Sequence, residues 1–149
     1  MPDASFSHRA VADAPPETAW HRLQDPAVWA NVTGIDSTDS HRHREGRLVG
    51  FSFTTVIGGI SYRGDARVTA ATPNETMTLA VETKEVTGRI DVALRPNGSG
   101  TALDVAMVMR PAGLVGSFIF PVVRGAVSDG FGDSVERLAA ALTDPRDQT

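Results

Sequence analysis

The sequence predicts an α+β domain in which an antiparallel sheet of about seven strands is covered on one face by a long C-terminal helix. Three observations carry this. Apolar and polar residues alternate with a period of two in consecutive segments through the middle of the chain. Turn-forming clusters separate those segments, and beyond Pro111 the apolar period becomes that of a helix. A run of strands closed by one helix is the pattern of a one-sided sheet, not of alternating βαβ units.

From Ala4 to Asp13 the chain alternates loosely, as a first strand, and then meets Pro15 and Pro16. Proline has a helix-compatible φ and no N–H to lose in a first turn, so a helix is predicted from Pro16 to about Gln24. Glu17 suits the positive end of its dipole. The residue before a proline disfavours the α region, so Asp25-Pro26 breaks this helix; a second short one runs from Pro26 to about Asn31 and ends near Gly34.

Strands follow. Ile60, Tyr62, Gly64, Ala66, Val68 and Ala70 share one face, opposite Ser61, Arg63, Asp65, Arg67 and Thr69. The pattern recurs in Met77, Leu79, Val81 and Thr83, in Ile90, Val92 and Leu94, and in Leu103, Val105, Met107 and Met109. Turn chemistry at Gly58-Gly59, Thr72 to Glu75 and Pro96 to Gly100 links these segments into an antiparallel meander. Stepped by about 100° per residue, Phe120, Val123, Val127, Phe131, Val135, Leu138 and Leu142 form one stripe, with Asp129, Asp133 and Glu136 opposite. Pro121 is expected to start or interrupt this helix, leaving the residues before it as a turn or a kinked extension.

At 149 residues the chain fits one domain, 1–149, with a frayed tail from about residue 144. The net charge of -4 gives no electrostatic footprint for nucleic acid. Without cysteine there is no disulfide, thiol chemistry or iron–sulfur ligation. No secretory signal opens the sequence, so a cytoplasmic protein is expected. The stretch "PAGLVGSFIFPVVRGAV", Pro111 to Val127, is apolar, but Arg124 and then Asp129 and Asp133 leave it short of the about 20 apolar residues of a spanning helix. No transmembrane segment, cofactor or metal is expected, and a homodimer is compatible with the sequence.

The segment "ADAPPETAWHRLQDPAVW", Ala12 to Trp29, resembles the SRPBCC superfamily, the START-like, birch-pollen-allergen-like and polyketide cyclase/dehydrase group. Its strand end, "APPE" helix start, tryptophan and "LxDPxxW" second helix carry the likeness. "EGRLVG" at Glu45 to Gly50 and "SVERLAAAL" at Ser134 to Leu142 support it. The resemblance covers nearly the whole chain and implies a helix-grip fold in a bacterial protein. Members of that group include lipid carriers, aromatase/cyclases, co-chaperones and maturation factors, so the fold does not select the function.

A large sheet whose concave face meets one narrow helix must curl, and curling leaves a cavity for an apolar ligand. The expected function is therefore binding of a hydrophobic or amphipathic small molecule such as a lipid, fatty acid or polyketide-like compound. The residues expected to line the site are His8, Trp29, Phe51, Phe53, Tyr62, Val81, Met107, Met109, Phe120, Arg124 and Val127, with Thr55 and Thr83 as further polar groups. An aromatase/cyclase using His8 and Tyr62 is the alternative, and a protein-binding accessory module the second. No nucleophile elbow, HExxH or phosphate loop is present, so no catalytic set stands out beyond these two.

His8 shares a strand face with Phe6 and Ala10, and would face inward if Phe6 does. Arg124 lies about 40° from the centre of the helix stripe. It must therefore snorkel to solvent, find an inward acid, or meet an anionic ligand. His41 and His43 fall on one face of a strand, as two metal ligands would, but without an evident third; an exposed hairpin is the expected place for them. His21 is expected on a solvated helix face.

Overall fold

A computed structural model describes residues 4–30, 36–57 and 59–143. The expected end of the second helix at Asn31 to Gly34, Gly58 of the first turn, and the tail from residue 144 lie outside the described residues.

The elements are β1 (Ala4–Ala12), α1 (Pro16–Arg22), α2 (Pro26–Trp29), β2 (Ser37–Arg44), β3 (Arg47–Ile57), β4 (Ile60–Thr72), β5 (Thr76–Glu82), β6 (Val86–Asn97), β7 (Gly100–Pro111) and α3 (Gly113–Leu142). The seven strands make one antiparallel sheet in the order β1-β7-β6-β5-β4-β3-β2. The α+β helix-grip architecture is thus present, with a curved sheet around a long C-terminal helix and two short helices between β1 and β2.

Period-two alternation holds along the inner face. Met77, Leu79, Ile90, Val92, Leu94, Leu103, Val105, Met107 and Met109 are buried. Arg63, Arg67 and Arg89 are exposed on the convex face. Every member of the helix stripe, Phe120, Val123, Val127, Phe131, Val135, Leu138 and Leu142, is buried.

α1 ends at Arg22, short of the expected Gln24, so the corner before α2 takes three residues, Leu23, Gln24 and Asp25. Asp25 caps α2, its carboxylate accepting from the Ala27 N–H at 3.0 Å. Buried Gln24 ties this corner to the sheet: its amide donates to the Trp20 carbonyl, and its Oε1 accepts from the Leu48 N–H at 2.9 Å. Trp29 donates its indole N–H to the Leu23 carbonyl, which satisfies the one polar group of a fully buried ring.

α3 corrects one expectation. It neither starts nor breaks at Pro121 but begins at Gly113 and runs through the proline. Pro121 removes only the bond to the Ser117 carbonyl and sits on the exposed side, where water can replace the missing donor. The first residue of the helix, Gly113, has φ 70°, a left-handed value that glycine adopts without strain.

β2 is one edge of the sheet. All its residues are polar, "STDSHRHR", and nearly all are exposed. Its register with β3 shifts between Asp39 and Arg42 and again between Arg42 and His43, and Ser40 takes φ 50°. Arg63 of β4 clamps Asp39 through two bonds of 2.9 and 2.7 Å. β1, at the opposite edge, packs against α3.

Candidate ligand-binding site

Between the inner face of β3 to β7 and the first half of α3 lies a cavity of about 70 Å³. Phe53 and Thr55 of β3, Tyr62 of β4, Val81 of β5, Val86, Gly88 and Ile90 of β6, and Met107 and Met109 of β7 form its floor and walls. Ile119, Val123 and Val127 of α3 form the roof. The enclosed volume is well below the several hundred Å³ of a typical drug-sized ligand site, so it fits a small apolar group and a larger ligand must extend through the mouth.

The β5–β6 turn builds one rim. Thr83 donates its N–H to the Val86 carbonyl at 2.8 Å, and its hydroxyl accepts from the N–H groups of Glu85 and Val86. That hydroxyl is committed to the turn, although Thr83 lines the cavity. The Glu85 carbonyl accepts from the Ala112 N–H at 2.8 Å, just before α3 begins. One turn into the helix, Gly116 is buried against the same carbonyl, so closely that any β-carbon there would collide with it. The turn and the start of the helix are thereby fastened at the cavity rim.

Two hydroxyl groups sit on the floor. Thr55 and Tyr62 are direct cross-strand partners, so their side chains lie next to each other on the inner face. Thr55 is 6% exposed, and among the described residues its hydroxyl has no hydrogen-bond partner. Its oxygen is nonetheless not sealed off, since no fully enclosed polar side-chain atom lacks a partner. The hydroxyl therefore faces the cavity. Glu85 is half-buried in the rim turn, whereas Glu82 lies opposite Asp65 and Thr87 in the ladder and belongs to the convex face. Among the described residues no arginine, lysine or histidine lines the cavity.

Of the residues expected at the site, the cavity brings together Phe53, Tyr62, Val81, Met107, Met109 and Val127, with Thr55 and Thr83. Trp29 and Phe51 are fully buried elsewhere in the core, and Phe120 is buried on the helix stripe without lining the cavity. His8 is not there either. Its Nε2 lies 3.0 Å from Glu136 Oε1 and its ring packs over Gly132, because β1 runs beneath the second half of α3, away from the cavity. His8 and Tyr62 therefore do not share the cavity. Arg124 is exposed, while Val123 and Val127 on either side of it turn inward; it takes the solvent route.

Sequence reasoning missed Ile119, Val123, Val86, Gly88, Ile90 and Glu85 as lining residues. Ile119 lies one turn before Val123, at the margin of the stripe, and that spacing was its only signal. Val86 follows a turn whose shape depends on the Thr83 side chain, which periodicity does not register.

Other charged groups are occupied on the convex face. Asp104 accepts from Arg9 and Arg95, both at 2.6 Å, and the Arg9 hydrogen bond holds its carboxyl below the ordinary carboxylate range. The Arg63 hydrogen bonds do the same for Asp39, and that carboxylate raises Arg63 in turn. His43 Nε2 meets the Gln24 carbonyl at 2.9 Å and His41 Nε2 meets Thr38 Oγ1 at 3.1 Å. Among the described residues no group of three or more histidine or acidic side chains is arranged to hold a metal.

The fold recurs in solved structures. An aromatase/cyclase, Zhui, from a Streptomyces species superposes with a TM-score of 0.71 at 15% identity, over 95% of this chain and 92% of that one. A Rhizobium loti protein gives 0.67 at 22% identity over 94% and 97%. A START superfamily protein from Mycobacterium smegmatis gives 0.67 at 16% over 89% and 94%. At such identities the likeness is one of fold. No curated protein matches the sequence. The family model described as polyketide cyclase/dehydrase and lipid transport matches residues 3–143, and the chain therefore belongs to that family.

Proposed function

We propose that the protein binds an apolar small molecule, with the ligand's apolar body held between Phe53, Val81, Met107 and Met109 below and Ile119, Val123 and Val127 above. The carrying observation is the cavity itself: an apolar-lined space between the sheet and the half of α3 that packs least. Methionines on the floor suit a ligand of variable shape, because an unbranched thioether conforms to its neighbour. The role is that of a carrier or sensor. His8 and Tyr62 are not close enough in the fold to act on one ligand atom, so the cyclase reading lacks its expected pair of groups.

Native mass spectrometry of the protein purified from its source tests this. The expected result is a noncovalent adduct that is lost in Val81→Phe, whose ring fills the cavity. No adduct, or one that Val81→Phe leaves unchanged, overturns it. A protein-binding module is the second reading, favoured by Leu114, Val115, Phe118 and Val122, which stand exposed on α3. A homogeneous ligand-free protein in the same spectrum favours that reading.

A further inference from the structure

The polar groups of the cavity constrain the ligand's chemistry more closely than its apolar walls do. A buried hydroxyl without a partner forfeits the hydrogen bonds it made to water in the unfolded chain. Thr55 is 94% buried by its 6% exposure and unpartnered among the described residues, yet its oxygen is open to the cavity, so what occupies the cavity is what can pair with it; the other buried polar side chains are satisfied within the fold. Gln24, Thr101 and Ser134, the other buried polar residues, all have partners. Tyr62 stands beside Thr55 on the neighbouring strand.

Among the described residues the lining also lacks any cation. An anionic ligand group brought inside would meet an almost wholly apolar lining with two hydroxyls, and would lose its hydration without a counter-charge. Arg124, on the roof helix, and Lys84, in the rim turn, are both exposed and outside the lining. A hydroxyl or carbonyl, by contrast, loses little and gains a partner, since threonine both donates and accepts.

Resting on the cavity reading above, we infer that the ligand is uncharged at its buried end and carries there a neutral oxygen function, hydroxyl or carbonyl, that hydrogen-bonds to Thr55, and that carboxylates are selected against. Fatty acids and acidic polyketides bound head-first are thereby excluded. Thr55 is the specificity-determining residue, and Tyr62 is placed to make a second bond to the same oxygen.

Para-cresol, toluene and para-toluate test this, because they share a ring small enough for the cavity and differ only in the group at one end. Affinities come from amide shifts in ¹⁵N-resolved NMR titrations of the intact chain and of its Thr55→Val and Thr55→Ser variants. Removing one neutral hydrogen bond is expected to weaken para-cresol by about three- to tenfold in Thr55→Val. Toluene stays within about twofold, as it makes no such bond. Thr55→Ser, which keeps the hydroxyl, preserves the para-cresol affinity, and para-toluate is the weakest of the three. If para-toluate binds tightest, or if Thr55→Val weakens para-cresol and toluene alike, or neither, the inference falls while the cavity reading stands. Binding of none of the three overturns both.

Discussion

From Phe131 to Leu142, α3 buries Phe131, Ser134, Val135, Leu138, Ala139 and Leu142 against β1 and its surroundings. From Gly113 to Val127 the same helix buries only Gly116, Phe120, Val123 and Val127. There it leaves Leu114 92% and Phe118 87% exposed, with Val115 and Val122 beside them. The helix as a whole is long and apolar enough to pass for a bilayer-crossing segment by length and composition, yet its apolar residues divide between a packed stripe and an exposed one. One half fixes the fold, and the other roofs a cavity over residues that meet it loosely. A single element can thus hold stability and binding in separate turns.

The largest way to break this contrast is to hollow the packed half. Leu138→Ala is expected to cost about 2–5 kcal/mol, because a fully buried leucine leaves a cavity that rigid neighbours cannot close. Val123→Ala, in the roof, should cost only about 1.5 kcal/mol, the transfer value of two methylene-sized groups, since the space beneath it is already open. Urea denaturation of the two variants measures the gap, and equal costs would mean that the halves are packed alike.

Gly116→Ala comes next. Its methyl must displace the Glu85 carbonyl or lift the helix from the turn, at an expected cost of about 1–3 kcal/mol. The lift also opens the cavity mouth, and faster hydrogen exchange at the Ala112 amide, which bonds the same carbonyl, would report it. The smallest effect belongs to the exposed stripe. Phe118→Ser is expected to change stability by no more than about 0.5 kcal/mol, because its ring is already in water. A larger loss would show that the first half of the helix is packed more tightly than its exposure implies.

Much of the fold was legible in the residues. The stripe from Phe120 to Leu142 was readable because helical spacing alone decides which residues share a face. The inner residues of β4 to β7 were readable because strand alternation does the same. Placement along each face was not. His8 and Phe53 both point inward, but one meets Glu136 and the other a cavity, and only the path of the helix across the sheet distinguishes them. Arg124 illustrates the same limit: its angle on the helix was near the stripe, but the buried arc narrows in the first half and excludes it. Thr55 was named as a polar candidate, yet its importance lies in the partner it lacks, which no periodicity encodes.

The polar edge strand β2 has a further consequence. A sheet's outer strand offers unpaired backbone groups on which another chain can lay a strand of its own. Here the lateral face carries Asp39, His41, Arg42, His43 and Arg44, and its two register shifts bend the ladder away from the flat geometry that templating requires. The opposite outer strand, β1, is backed by α3. The histidine pair that looked like half a metal site thus belongs to a polar, irregular edge of the kind that is a poor template for sideways growth of the sheet.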